Sequence, residues 1–299
     1  MIELKNLIKT FNRSIVLNDI SLQIDDSSVY GLIGSNGAGK STMLRIMSGI
    51  FCGDSGGVFI DGLPVFENIA AKRQLFYISD DQLVFNNDTM DHTAAYYAAV
   101  YDGFSFENYA RFADMFHLAR NKSLGHFSKG MRKCASVCYA FASGAKYIFM
   151  DETFDGLDPV NRELTKRLIA AETVSRQLTL VISSHNLREL EDICDHVCLL
   201  HNGNIRISSG LDDLVENLHR IRCVFSDEKK KEDFSGLDIV SFRGARRMCT
   251  LTVRGVRSEI TAALELMDPV SVDIVPLSLE EIFVYEMEAI GYDAKKITF

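Results

Sequence analysis

The sequence predicts an α/β domain built on a largely parallel sheet, followed by a small α+β domain. Short apolar strands alternate with helical segments up to about Leu218, a pattern typical of strand–helix–strand units. A glycine-rich turn at Gly34 joins one of these strands directly to a helix. Beyond Leu218 several strands precede the next helical segment. We therefore place the two domains at residues 1–218 and 219–299, each within the usual size range.

The composition excludes some classes of protein. Of the 299 residues, 47% are hydrophobic and 24% are charged, which is ordinary for a soluble globular chain. The net charge of −9 argues against a nucleic-acid binder, which needs a basic face. Seven scattered cysteines and an N-terminus without the pattern of a secretory signal indicate reduced thiols in a cytosol. We expect a cytoplasmic protein without a nucleic-acid partner.

Hydrophobic periodicity defines the elements of the first domain. Strands are predicted where apolar residues alternate or form a short run, and helices where they recur at helical spacing. The predicted strands are Ile2–Leu7, Ile15–Ile24, Val29–Ile33, Val58–Ile60, Leu75–Ile78, Tyr147–Met150 and Leu178–Ser183, with a hairpin at Val197–Ile207. The predicted helices are Ser41–Ser48, Lys129–Ser143, Asn161–Ser175 and Leu187–Cys194. Residues 86–124 are helical and rich in aromatic side chains, which we assign mostly to the core and otherwise to a surface for a partner helix.

The second domain has a different texture. Its predicted strands are Arg220–Phe225, Ile239–Arg243, Met248–Val253 and Val270–Val275, with a helix at Ser258–Met267. The segment Ser278-Leu279-Glu280-Glu281 is a capping box that begins a last helix reaching about Ala289. The position of this domain suggests an accessory role in regulation or dimerisation.

A loop with the pattern G-x-x-x-x-G-K-[ST] lies between Ile33 and the first helix. It consists of Gly34, Ser35, Asn36, Gly37, Ala38, Gly39, Lys40 and Ser41, and Thr42 follows. Glycines let the backbone curl so that successive N–H groups face phosphate oxygens, and the helix directs its positive end at the same anion. Lys40 supplies a mobile charge, and Ser41 supplies a hydroxyl ligand for Mg²⁺. The loop predicts a site for ATP.

Two carboxylates follow the apolar strand Tyr147–Met150. In proteins with this phosphate-binding loop, an acidic residue at such a strand end holds Mg²⁺ or its hydration shell, and Asp151 fits that role. The adjacent Glu152 can polarise an attacking water as a general base. Together with the loop, this pair predicts hydrolysis as well as binding.

Further motifs make the resemblance specific. Phe127-Ser128-Lys129-Gly130-Met131 resembles the LSGGQ signature of ATP-binding cassette (ABC) ATPases, Gly156-Leu157-Asp158-Pro159 resembles their D-loop, and Ser183-Ser184-His185 resembles their switch-histidine segment. Phe11 matches the aromatic residue that stacks on adenine in that family. The order agrees over about residues 1–215, and Pro276–Phe283 resembles the tail of exporter-type members. The fold implied is a P-loop ABC nucleotide-binding domain with a helical subdomain.

The resemblance also implies a mechanism and partners. Two nucleotide-binding domains would sandwich two ATPs, with Ser128 and the backbone near Gly130 reaching the γ-phosphate held by Lys40 of the other subunit. His185 would contact the γ-phosphate and the water, and Asp158 would communicate across the dimer. The implied cofactors are ATP and Mg²⁺. The implied partners are a separate transmembrane permease and a second nucleotide-binding subunit, identical or different, at the inner face of a membrane.

Three positions depart from the family pattern. Asp80 aligns with a position where the family has Gln, although Asp81 or Gln82 is an alternative equivalent. As a carboxylate, Asp80 would bind Mg²⁺ or its water as a charge. Lys129 replaces the second residue of the signature, usually Gly, and Met131 replaces its final Gln. We consider two roles for Lys129: it adds positive charge near the γ-phosphate of the partner subunit, or it faces solvent.

Two other functions compete with a transport ATPase. One is a soluble ABC ATPase acting on ribosomes or DNA, but the chain has a single phosphate-binding loop and no coiled-coil insertion. The other is a nucleotide sensor with little turnover, which the altered signature and Asp80 suggest. Replacement of Glu152 by Gln discriminates between a sensor and a hydrolase.

Overall fold

The computed structural model describes residues 1–80 and 88–289. The chain divides into two compact units, Met1–Ser208 and Ser209–Phe299. The division falls before the helix Leu211–Glu216, which the sequence analysis placed in the first domain. That helix packs on the strand Leu218–Val224, so it shares its core with the second unit. We refer to the two parts below as the first unit and the second unit.

Strands and helices alternate through the first unit, as predicted. In chain order the elements are β1 (Ile2–Phe11), β2 (Ser14–Ile24), β3 (Val29–Ile33), α1 (Lys40–Met47), β4 (Ser55–Ile60), β5 (Leu63–Pro64), α2 (Ile69–Lys72), β6 (Leu75–Ile78), α3 (Met90–Val100), α4 (Phe106–Met115), α5 (Lys129–Ala142), β7 (Tyr147–Asp151), α6 (Pro159–Arg176), β8 (Thr179–Ser184), α7 (Leu187–Glu191), β9 (His196–His201) and β10 (Asn204–Gly210). A 3₁₀ turn at Leu124–His126 precedes α5.

The parallel sheet positions the candidate site. Its strand order is β10-β9-β3-β8-β7-β6, and β6, β7, β8, β3 and β9 pair in parallel. Every residue of β3, β7 and β8 is buried. Because parallel strands end at the same edge, Gly34, Asp151 and Ser184 lie side by side there. A second, antiparallel sheet has the order β2-β1-β4-β5.

The aromatic segment forms a helical subdomain of α3, α4 and α5. Tyr109 on α4 stacks on Tyr139 of α5, with ring centroids 5.9 Å apart. Phe112 and Phe116 are also buried, as the core assignment predicted. Tyr96 and Phe106 are exposed, so the assignment of the remaining aromatics to a surface for a partner stays a prediction.

The second unit is an α+β fold around one antiparallel sheet. Its elements are α8 (Leu211–Glu216), β11 (Leu218–Val224), a 3₁₀ turn (Lys231–Phe234), β12 (Asp238–Ala245), β13 (Met248–Arg254), α9 (Arg257–Glu265), β14 (Ser271–Val275) and α10 (Leu279–Ala289). The strand order β14-β11-β13-β12 with antiparallel neighbours is that of a ferredoxin-like β-α-β-β-α-β unit, in which the 3₁₀ turn replaces the first helix. The predicted capping box is present: the backbone N–H of Ser278 donates to Glu281 at 3.1 Å.

Candidate functional site

The phosphate loop connects the buried strand β3 to α1. Glycine is required at Gly34, because a Cβ there would lie 2.3 Å from the carbonyl oxygen of Leu200. Gly39, just before α1, has φ of +111°, which side chains disfavour. Among the described contacts at this helix start there is no side-chain cap, so its N–H groups are left to an anion. The local backbone therefore meets the requirements of a phosphate cradle.

Lys40 is a buried lysine that faces both the loop and the acidic strand end. Its Nζ donates to the carbonyl oxygen of Gly34 at 2.5 Å and lies 3.1 Å from Oε1 of Glu152. A buried ammonium group needs such partners. An anion bound to the loop would therefore compete with Glu152 for the ammonium group of Lys40.

Asp151 ends β7 and is fully buried. Its Oδ1 accepts hydrogen bonds from the hydroxyls of Ser41 at 2.9 Å and Ser183 at 2.7 Å, and its Oδ2 accepts from Tyr77 at 3.0 Å. Burial and the negative charge of Asp151 raise the pKa of Tyr77 to about 12, so the phenol stays protonated and donates. Sequence reasoning had not identified Tyr77 or this role of Ser183.

The donor set fits Mg²⁺. This cation prefers one or two carboxylates, hydroxyls and phosphate oxygens in octahedral geometry. Asp151 and Ser41 supply a carboxylate and a hydroxyl within 2.9 Å of each other beside the phosphate loop. Both residues would hold the cation, and bound Mg²⁺ would neutralise the developing charge on the phosphate oxygens.

Glu152 lies next along the chain, at the centre of a contact network. Its carboxylate contacts Lys40 through Oε1 and Nδ1 of His185 through Oε2, the latter at 2.8 Å. Its backbone N–H donates to Ser183 Oγ at 3.0 Å, and its φ of +45° is left-handed. A general base must be held within reach of a water, and these contacts fix both the backbone and the carboxylate.

The signature and D-loop segments begin two helices. Ser128 caps α5 by accepting from the N–H of Met131 at 3.2 Å, and Asp158 caps α6 by accepting from Val160 and Asn161. Hydrogen bonds from the backbone and side chain of Asn161 lower the pKa of Asp158, which keeps it ionised. A Cβ at Gly130 would lie 2.9 Å from the carbonyl oxygen of Gly156, so the two segments pack closely.

These segments do not complete the loop of their own chain. Within residues 1–80 and 88–289, no hydrogen bond joins Ser128 or Gly130 to the phosphate loop. Phe11, at the end of β1, is 40% exposed and packs edge-to-face on Phe51 with ring centroids 5.7 Å apart. Nζ of Lys9 lies 5.2 Å from the centroid of this ring, and the exposed part of the ring is the surface left for a further aromatic partner.

Asp80 contacts two lysines of α5. Its Oδ1 lies 3.0 Å from Nζ of Lys133 and 3.7 Å from Nζ of Lys129. Asp81 and Gln82, the alternative equivalents of the family glutamine, lie outside the described residues. Sequence reasoning missed Lys133, although its place on the apolar side of α5, beside the buried Val137, was a signal.

Comparison with known proteins agrees with this geometry. The family model described as ABC transporter matches residues 17–155, which include the phosphate loop, the signature and the acidic pair. Over residues 17–155, the chain carries an ABC transporter domain. The predicted family and the predicted P-loop α/β fold are thereby confirmed. Within the described ranges, every helix is too short or too polar to span a bilayer.

Two named proteins are similar to this chain in sequence. The chain is 27% identical to the ABC transporter ATP-binding protein YtrB of Bacillus subtilis, over 95% of this chain and 97% of YtrB, so that similarity reaches into the second unit. It is 28% identical to the lipopolysaccharide export ATP-binding protein LptB of Haemophilus influenzae, over 76% of this chain and 97% of LptB.

Solved structures match the ABC domain as well. The ATP-binding subunit of an ABC transporter superposes with a TM-score of 0.66 at 28% identity, over 72% of this chain and 91% of that one. A dimeric ATP-binding cassette bound to ADP and Pi superposes with a TM-score of 0.63 at 20% identity, over 71% of this chain and 99% of that one. At 20% identity, this second similarity shows a shared fold alone.

Proposed function

We propose that this chain is the ATP-binding and hydrolysing subunit of an ABC exporter whose membrane-spanning part is a separate protein. One observation carries the proposal. Lys40, Ser41, Asp151, Glu152 and His185 converge at the carboxyl edge of the parallel sheet, linked by contacts of 2.8–3.1 Å. The charges and donors that phosphoryl transfer requires are therefore assembled in one place.

ATP is the ligand that the loop accommodates best. The N–H groups of Gly37–Thr42 and the Lys40 ammonium would hold the β- and γ-phosphates, with Ser35 and Asn36 shaping the loop. The partly exposed ring of Phe11 would stack on adenine, since stacking suits any base with a flat π-face. Ser41 and Asp151 would hold Mg²⁺.

Hydrolysis requires Glu152 to change partners. Its carboxylate contacts Lys40, and a phosphate on the loop would draw that ammonium away. Glu152 is then free to accept a proton from water, while His185 orients it from the other side through Oε2. We assign Glu152 the role of general base and His185 that of an orienting group near the γ-phosphate.

A second nucleotide-binding subunit would complete the site. Ser128 and the α5 N-terminus make no hydrogen bond to their own phosphate loop in the described residues, yet they form a helix start suited to phosphate. They would reach ATP held by a partner, with Asp158 at the shared boundary. The partner is either a copy of this chain or a related subunit.

The membrane partner is inferred from relatives. LptB is described as part of a lipopolysaccharide export system, and a Nod factor export ATP-binding protein of Mesorhizobium japonicum is 29% identical over 72% of this chain and 65% of that protein. Export across a membrane requires a protein that spans it, and an ATP-binding subunit would work against such a permease at the inner face of the membrane. We infer the same location and partner here.

The proposal is tested on the natural complex. Tagged chain, extracted with detergent from membranes of its own organism, should bring down a membrane protein with several spanning helices. The complex should release phosphate from ATP in a Mg²⁺-dependent manner, and Lys40→Met should abolish both ATP binding and release. Recovery of ribosomes or DNA in place of a membrane protein would support the soluble ATPase instead. Tight binding without turnover would support the nucleotide sensor.

A further inference from the structure

Lys133 is a fully buried lysine that none of the recognised motifs uses. It lies on α5, about one turn beyond Gly130 of the signature. Its Nζ lies 3.0 Å from Oδ1 of Asp80 and donates a hydrogen bond to the backbone carbonyl oxygen of Glu152. Burying an ammonium group is costly unless it is paired and hydrogen-bonded, so these two contacts account for its presence.

The contact with Glu152 falls on a strained part of the backbone. Glu152 has φ of +45°, a region in which residues other than glycine are uncommon. Its N–H donates to Ser183 Oγ at 3.0 Å, and its carbonyl oxygen accepts from Lys133. The peptide groups on both sides of Glu152 are therefore held by side chains, one on β8 and one on α5. The same carbonyl oxygen also accepts from the backbone N–H of Asp155 at 3.2 Å, so Lys133 is the side-chain contact that ties this peptide group to α5.

Asp80 forms an ion pair with Lys133 and serves as its counter-ion. Its Oδ1 contacts Lys133 and, more distantly, Lys129 at 3.7 Å. Ligation of a metal by that oxygen would leave the buried ammonium of Lys133 without a carboxylate. The unusual carboxylate at position 80 and the buried lysine at position 133 thus explain each other as a pair.

We propose that Lys133 is a positioning residue that orients Glu152 through its carbonyl group, and that Asp80 serves as the counter-ion of Lys133 and not as a ligand of Mg²⁺. The inference rests on the proposed role of Glu152 as general base. It also connects the helix that begins with the signature to the hydrolytic residue of the same chain.

The first test compares Lys133→Met with the wild type in the purified complex. The substitution keeps the length of the side chain and removes the ammonium group. We expect kcat to fall at least about tenfold, as for a small misplacement of a catalytic group, with the Kd for ATP changed less than about threefold. Adding Asp80→Asn to Lys133→Met should lower kcat no further, because Asp80 acts through Lys133. A kcat within about twofold of the wild type, or additive effects of the two substitutions, would overturn the proposal.

The second test concerns the metal alone. The Mg²⁺ concentration for half-maximal binding of a fluorescent ATP analogue is measured for Asp80→Asn and, as the matched control, Asp151→Asn. We expect Asp151→Asn to raise it about tenfold or more and Asp80→Asn to leave it unchanged. An equal rise in both variants would make Asp80 a metal ligand and defeat the proposal. This comparison decides the role of Asp80 whether or not Lys133→Met folds.

Glu152→Gln separates this inference from the proposed function. If Glu152→Gln leaves hydrolysis intact, the general-base assignment fails, and the positioning role fails with it. If Glu152→Gln abolishes hydrolysis while Lys133→Met does not slow it, only the positioning role is wrong.

Discussion

Asp151 receives three hydroxyl donors, and each comes from a different element. Ser41 lies on α1, Ser183 on β8 and Tyr77 on β6. A carboxylate held by three donors is fixed in position before any cation arrives, so little ordering remains to be done on binding. Of the three donors, Tyr77 has no other role in the proposed mechanism.

Tyr77→Phe therefore tests how much the Tyr77 hydrogen bond contributes to Asp151 as a metal ligand. The change removes one hydrogen bond to Asp151 and retains the ring. We expect the Mg²⁺ concentration for half-maximal hydrolysis to rise about tenfold, as for other partners of metal ligands. Tyr101→Phe is the matched control, because the Tyr101 hydroxyl donates to the carbonyl oxygen of Leu75, at the other end of β6. Equal behaviour of the two variants would contradict this role of Tyr77.

The candidate site was predictable from sequence only where a motif fixes the spacing along the chain. Lys40, Ser41, Asp151 and Glu152 lie within such motifs, and the structure brings them together. Lys133 contacts Asp80 and the carbonyl oxygen of Glu152, and Tyr77 contacts Asp151, all of them far away in sequence. Their contacts depend on how α5 and β6 pack, which local patterns do not report.

At the scale of elements, predictions were most accurate for buried strands. β3 was predicted with its observed ends, because its apolar run stops at a glycine turn. β1 extends to Phe11 and not only to Leu7, since it pairs with β2 through a tight turn at Asn12 and Arg13. Both turn residues have positive φ, and the pair lacks the glycine that usually marks such hairpins.

The last helix carries a pH-dependent contact within the second unit. Burial raises the pKa of Glu281, but hydrogen bonds from Arg220 and the Ser278 N–H outweigh it and lower the pKa below the ordinary value. A lowered folded-state pKa stabilises the fold above the unfolded value of about 4.3, and this contribution is lost as pH falls through the folded value. The side chain is partly exposed, so the effect is modest.

Glu281→Gln measures that contribution. We expect a lower urea midpoint of the second unit than in the wild type at pH 7, and a midpoint difference that shrinks as the pH falls below about 4.3 and the carboxyl group becomes protonated. Glu288→Gln, on the exposed side of the same helix, is the control and should shift neither midpoint. A midpoint difference that persists at acid pH would assign the effect to packing.

For the whole molecule, the shared phosphate site of the proposed mechanism requires a partner subunit. Ser128→Arg should leave ATP binding by the phosphate loop within about threefold of the wild type, because Ser128 makes no hydrogen bond to the loop of its own chain in the described residues. It should abolish hydrolysis by the complex, since a bulky cation would block the shared phosphate site. Ser226→Arg, an exposed change in the second unit, should alter neither property. Loss of ATP binding in Ser128→Arg would place the signature in its own chain's site.

A separate domain after about Leu218 was a prediction from the change in the pattern of strands and helices along the chain, whereas the assembly with other chains was inferred from the resemblance alone. A sequence reports which surfaces are polar or apolar, but the partner's surface is encoded elsewhere. The ferredoxin-like order of the second unit likewise became evident only from strand pairing, because four strands and two helical segments allow several sheet orders.

We propose Glu152 as the general base in the hydrolysis of ATP held on the loop at Gly34–Thr42. The most direct measurement compares phosphate release and ATP binding by wild-type and Glu152→Gln complexes at saturating Mg²⁺. We predict that Glu152→Gln binds ATP with a Kd within about threefold of the wild type and releases phosphate at least about a hundredfold more slowly. Release at the wild-type rate by Glu152→Gln, or no release by the wild type, would contradict the claim.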